Sequence, residues 1–138
     1  MILENTITLL YVEDDPGSRK VMQHLVTRVD NPVDLTMFED SSNFLPRVEQ
    51  LVRPPDIFLI DIHVAPLDGF TMLEQLRSHP RFTGKMIVAL TASVMSAEIH
   101  QLRQAGFDGV LAKPLNFHTF PGLLDRIFTG ERIWTVSR

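Results

Sequence analysis

Three carboxylates, a hydroxyl and an ammonium stand at the ends of four short apolar runs in this chain. Ile7-Thr8-Leu9-Leu10-Tyr11-Val12 runs into Glu13-Asp14-Asp15, and Ile57-Phe58-Leu59-Ile60 runs into Asp61. Met86-Ile87-Val88-Ala89-Leu90 runs into Thr91, and Val110-Leu111-Ala112 into Lys113-Pro114. Glu13, Asp14 and Asp61 brought together would suppress one another's ionisation unless a cation intervened. A hard divalent ion resolves that conflict, and Mg²⁺ typically shares carboxylate, water and phosphate oxygens in octahedral geometry. A carboxylate also accepts a phosphoryl group as an acyl phosphate. That transfer depends on positioning and charge neutralisation more than on acid-base machinery. Lys113 offers a mobile positive charge, and Thr91 offers a hydroxyl beside the small Ala92. These residue types suit a divalent-metal and phosphoryl site.

Such a site needs all four runs to end at the same edge. Apolar runs bounded by turn signals read as strands buried on both faces, the pattern of a parallel sheet. Parallel strands carry their polar ends to one crevice at the carboxyl edge, where open α/β sheets bind ligands. Helical spacing fills the intervals. Val21, Met22, Leu25, Val26 and Val29 follow the cap Asp15 and the first-turn Pro16. Phe44, Leu45, Val48, Leu51 and Val52 form a second stripe, closed by Pro54-Pro55. Phe70, Leu73 and Leu76 form a third, and Met95, Ile99, Leu102 and Ala105 a fourth that stops at Gly106. Phe120, Leu123, Leu124, Ile127 and Phe128 form the fifth. Val33 to Phe38 alternates as a strand nearer a sheet edge would. The expected fold class is α/β: a doubly wound, five-stranded parallel sheet in a three-layer sandwich. Pro46 fits if the second helix starts near Asn43, and Pro121-Gly122 implies a late or irregular start to the fifth. Residues 1–130 read as one domain and 131–138 as a tail without periodicity, in which Trp134 is either a docking anchor or a remnant.

Composition narrows the setting. A chain of 138 residues with 44% apolar and 22% charged residues can bury one core. Its net charge of −4, with basic residues scattered singly, argues against nucleic acid as a partner. No cysteine is present, so disulfides and thiolate sites are excluded. No stretch approaches the about 18 apolar residues of a membrane span, and the N-terminus lacks the pattern of a signal peptide. The expected location is cytoplasmic. His24, His79, His100 and His118 read as surface residues, Phe107 and Phe117 as packing.

The chain resembles the receiver domain of two-component response regulators, of the flavodoxin-like (βα)₅ type seen in chemotaxis regulators. The matching motifs are Leu10 to Pro16, Leu59-Ile60-Asp61 with Asp68-Gly69 beyond, Leu90-Thr91-Ala92, and Lys113-Pro114. Together they span roughly residues 6 to 129. The resemblance implies that Asp61 is the phosphoacceptor and Thr91 the switch hydroxyl. It implies that Lys113 binds the phosphoryl group, with a cis Lys113-Pro114 bond. It makes Asp14 a direct Mg²⁺ ligand, Glu13 a ligand through water, and Asp61 and the backbone carbonyl of His63 the remaining protein ligands. A histidine kinase or phosphotransfer domain would supply the phosphoryl group. A downstream protein would read the face made by helix four, strand five and helix five, with a homodimer left open. The chain would act as a stand-alone module, not as a turnover enzyme: it would catalyse only its own phosphorylation and dephosphorylation.

Departures from the family pattern are also implied. Proline falls at position 66, one place later than usual after the acceptor, and the aromatic switch residue three before the lysine is Val110. Two other classes fit the same residues less well. An interaction module that kept the fold and lost phosphorylation is favoured by Val110 and opposed by the intact acids, threonine and lysine. A Mg²⁺-dependent phosphohydrolase of the haloacid-dehalogenase type would need an acid two residues after Asp61, where His63 stands.

Overall fold

The structure, a computed structural model, describes residues 5–134. Strands β1 (Ile7–Val12), β2 (Val33–Phe38), β3 (Ile57–Asp61), β4 (Met86–Thr91) and β5 (Gly109–Ala112) form one sheet in the order β2-β1-β3-β4-β5. Every pairing is parallel. The helices are α1 (Pro16–Leu25), α2 (Phe44–Glu49), α3 (Gly69–Arg77), α4 (Ser96–Ala105) and α5 (Phe120–Phe128). This is the expected α/β doubly wound sandwich.

Side chains alternate along each strand, so the two faces of the sheet bury different residues. Leu10, Val12, Phe58, Ile60 and Ala89 meet α2, α3 and α4 through Phe44, Val48, Met72, Leu76 and Leu102. Leu9, Tyr11, Leu59, Val88 and Leu90 meet α1 and α5 through Met22, Leu25, Phe120, Leu124 and Ile127. Because the strands are covered on both sides, they read as continuous apolar runs. β2 lies at an edge and is half-buried over most of its length, as its alternating sequence implied.

Local signals set most boundaries. The Asp15 carboxylate caps α1 by accepting from the Ser18 amide at 2.8 Å. Gly106 ends α4 at φ 115°, in the left-handed region. Pro46 lies in the first turn of α2, after Asn43 at φ 47°. α5 starts at Phe120, so Pro121 also falls in a first turn, where its missing N–H costs no helical bond. The second stripe overshoots. α2 stops at Glu49, Leu51 reaches the core from an irregular turn, and Val52 is 98% exposed. The residue before a proline is disfavoured in helix, and Arg53 precedes Pro54-Pro55. The chain therefore leaves the helix early to enter β3.

Gly69 opens α3 against the strand-end loop, and its amide donates to the Ile62 carbonyl at 2.9 Å. A Cβ at this position would sit 2.6 Å from Ile62 Cδ1 and 2.9 Å from Ile62 Cα. Gly69→Ala is therefore expected to destabilise the protein by about 2 kcal/mol, the usual range for overpacking. Urea denaturation checks this; an unchanged midpoint would mean that the loop yields freely.

Candidate functional site

Parallel pairing places Val12, Ile60, Leu90 and Ala112 at neighbouring strand ends, so the residues that follow converge. Glu13, Asp14 and Asp61 each bring a carboxylate oxygen within 4.8 Å of the others. Glu13 is fully buried, Asp61 is 5% exposed and Asp14 is exposed. Lys113 Nζ lies 2.8 Å from Glu13 Oε1 and 3.0 Å from Asp61 Oδ2. The ammonium thus bridges the two buried acids while Asp14 faces the opening. The His63 amide donates to Asp61 Oδ1 at 3.0 Å, and the His63 side chain is exposed. Both Lys113-Pro114 and Ala65-Pro66 are cis.

The electrostatics separate the two buried carboxylates. Burial works against ionisation of Asp61, but the His63 amide and the Lys113 ammonium outweigh it and hold the group below its ordinary value. Glu13 is pushed up by burial, with Lys113 opposing and Asp61 adding to the rise. Burial disfavours the Lys113 charge, yet Glu13 and Asp61 raise its pKa above normal. Asp61 therefore stays anionic, a condition for nucleophilic reactivity. Three carboxylates faced by one ammonium leave an excess of negative charge from hard oxygen donors, which suits a divalent cation.

Thr91 closes β4 and is 4% exposed. Its Oγ1 accepts from the Ser93 amide at 3.1 Å, which ties it to the β4–α4 loop. The Lys113 amide donates to the Thr91 carbonyl at 2.9 Å, fastening the two strand ends to each other. Each side-chain candidate read from the sequence thus lies at this edge.

Three contributors had not been anticipated. The Tyr11 hydroxyl, fully buried, donates to Glu13 Oε1 at 2.9 Å. Burial first, then the Glu13 charge, pushes its phenol well above the ordinary value, so it remains a donor. Arg19 donates to the Glu13 carbonyl at 2.8 Å. Ser41, also fully buried, braces the loop after Asp61. Its hydroxyl donates to the Leu67 carbonyl at 2.6 Å and accepts from the Leu67 amide at 2.7 Å. Its amide donates to the Ala65 carbonyl at 3.2 Å. A tyrosine inside an aliphatic strand must find a partner for its hydroxyl, so Tyr11 carried a readable signal. Ser41 carried none.

Elsewhere, His79 differs from the expected surface histidine: it stacks on Phe82 at 4.6 Å and reaches Glu49 Oε2 at 2.9 Å. Phe107 is buried as expected, whereas Phe117 is 41% exposed with the Arg28 guanidinium 5.6 Å above its ring. Among the described residues, no helix is long and apolar enough to cross a membrane.

Comparison with known proteins bears on this edge. The signal transduction histidine-protein kinase BarA of Escherichia coli is 28% identical over 127 residues, covering 92% of this chain and 13% of that kinase. Response regulator Rre1 of Synechocystis is 34% identical over 112 residues, covering 80% of this chain and 46% of the relative. The chain thus spans less than half of either relative. The receiver domain of the sensor histidine kinase PA1611 from Pseudomonas aeruginosa, solved with a magnesium ion in its active-site cleft, superposes with a TM-score of 0.75. It is 24% identical, and the match covers 90% of this chain and 98% of that one. The response regulator receiver domain model matches residues 9–124, which include the acids, Thr91 and Lys113. The chain belongs to the response regulator receiver domain family of two-component signalling.

Proposed function

We propose that this receiver domain takes a phosphoryl group onto Asp61 in a Mg²⁺-dependent reaction, from a histidine kinase or a phosphotransfer protein in the cytoplasm. The observation that carries this is the Lys113 ammonium held between Asp61 and the fully buried Glu13. The ionised Asp61 carboxylate attacks phosphorus, an oxygen–phosphorus bond forms, and the donor's bond to phosphorus breaks as the donor leaves with its electron pair. Lys113 then neutralises a phosphoryl oxygen, and the His63 amide keeps the carboxylate oriented. Glu13, Asp14, Asp61 and the His63 carbonyl would hold the metal, Glu13 through water, and the ion would neutralise the equatorial phosphoryl oxygens. The domain turns over no external substrate. Its output is a change in the surface offered to a downstream protein on the α4–β5–α5 face.

Incubation with acetyl phosphate and Mg²⁺ is the test. One phosphoryl mass should appear and be removed by hydroxylamine, as an acyl phosphate requires; no adduct in Mg²⁺ would sink the reading. The metal also has a stability signature. At a concentration ten times its dissociation constant, linkage adds about 1.4 kcal/mol to the folded state. Thermal melts with and without Mg²⁺ should show that gain, and Asp14→Ala should remove most of it. Equal melting points for the wild-type protein in both conditions would count against the metal site.

A further inference from the structure

The chain does not leave the domain after α5. Gly130 turns it at φ 96°, and residues Glu131 to Trp134 run back along the side of β5 that faces away from β4. The Val110 amide donates to the Ile133 carbonyl at 2.7 Å, and Val110 bridges Trp134 in parallel. Ile133, 5% exposed, joins the core on the α1 and α5 side, whereas Trp134 packs half-buried on the α4 side. Successive side chains thus go to opposite faces, as in an added strand. Gly109 is matched to this path. A Cβ there would lie 2.7 Å from the Ile133 carbonyl oxygen and 3.3 Å from its nitrogen.

The same segment is tied to α4, where the Arg103 guanidinium lies 4.6 Å from the centre of the Trp134 ring. Leu102 is the one buried residue of α4, which makes this helix lightly anchored. Its first turn is fastened toward the site: the Ser93 hydroxyl donates to the Glu98 carboxylate, and the Ser93 amide donates to Thr91 Oγ1. A cleft of about 200 Å³ beside Thr91, bordered by Ile62, Phe70 and Leu102, leaves that loop room to move. One end of α4 is therefore held through Ser93 by the Thr91 hydroxyl and the other by Trp134.

We infer that residues 131–134 form a displaceable strand over the β5 edge, and that phosphorylation of Asp61 releases it. The inference rests on Asp61 being the phosphoacceptor. Drawing the Thr91 hydroxyl toward a phosphoryl oxygen removes the acceptor that holds Ser93. α4 then shifts, and Arg103 leaves the Trp134 ring. The strand is seated by the Glu131–Arg126 and Arg132–Asp108 ion pairs, the Val110 backbone bond and the Ile133 and Trp134 side chains. Its release therefore requires a differential interaction between the two states that outweighs them. Val110 is fully buried and too short to report the state of the site; Trp134, across the bridge from it, takes that part.

Trp134 is the one tryptophan of the chain, so intrinsic fluorescence reads it alone. Acrylamide quenching should be measured on the full chain in Mg²⁺, with and without beryllofluoride, a phosphoryl mimic. The quenching constant is expected to rise roughly twofold or more, in step with amide shifts at residues 91–97. Gly109→Ala should raise it without the mimic, because the new methyl displaces Ile133, while labelling by acetyl phosphate stays unchanged. Arg103→Ala, at an exposed position of α4, should do the same to a lesser degree and serves as the second variant. Amide shifts at 91–97 with unchanged quenching would overturn the gate and leave the phosphoacceptor assignment standing. Absence of amide shifts together with absence of an acetyl phosphate adduct would overturn both. Wild-type quenching in both variants would show that the segment is not seated as described and would also overturn the gate.

Discussion

Asp61→Asn is expected to abolish phosphoryl uptake from acetyl phosphate, reducing the adduct to background while leaving the fold intact. The substitution is isosteric, and an amide oxygen can still accept from the His63 amide, now at 3.0 Å. What disappears is the anionic nucleophile. Lys113 keeps its contact with Glu13 Oε1 at 2.8 Å, so neither buried charge is stranded. Loss of label with an unchanged far-ultraviolet spectrum therefore isolates the chemistry from the scaffold. Mass spectrometry after incubation in Mg²⁺ checks it. Full labelling of the variant would move the acceptor elsewhere, and Asp14, exposed at the rim, would be the first residue to examine.

The site was legible because its logic is topological. A parallel sheet brings all strand ends to one edge, so four runs ending on Glu13, Asp61, Thr91 and Lys113 had to converge once their direction was settled. No contact had to be foreseen. Features that depend on long-range contacts behaved differently. Ser41 reaches Leu67 across the β2–α2 and β3–α3 loops, and nothing in the sequence around a lone serine announces that bond. The stripe in α2 misled because Val52 has the right period but precedes Arg53 and two prolines, and backbone restriction prevailed over pattern.

The segment after α5 shows the same limit from the other side. Four residues carry too few positions for either period to register, so Glu131 to Trp134 read as a tail. Ile133 and Trp134 acquire their alternation only because β5 provides an edge and Gly109 provides clearance. The final residues of that tail, 135–138, lie outside the described region. Composition at Gly109 was informative only in hindsight: a glycine in a strand often marks close approach of another backbone.

Lys113→Ala carries the second large effect, and it is twofold. Removing the ammonium leaves Glu13 and Asp61 facing each other with no cation between them. Breaking a buried pair in this way is strongly destabilising. Because the Lys113 side chain is 21% exposed and solvent softens the loss, about 2 kcal/mol is expected without metal. The sign of the pH dependence follows from Glu13. Its folded pKa already lies above the ordinary value, and Lys113 is the contact that opposes the rise. In the variant the rise is larger. A carboxyl whose folded pKa is raised contributes stability that is present below its unfolded pKa and lost as pH climbs through the folded one. The deficit relative to wild type should therefore be small in acid and grow toward neutral and alkaline pH. Mg²⁺ should restore part of it by supplying the missing positive charge. Switching should not be restored, because the phosphoryl oxygen that Lys113 would contact, and with it the tie between β3 and β5, has lost its partner. Urea denaturation across pH with and without Mg²⁺, paired with beryllofluoride-induced amide shifts, reads both halves. A pH-independent deficit would dissociate Lys113 from Glu13, and wild-type shifts with beryllofluoride would reduce the lysine to a residue of the turn.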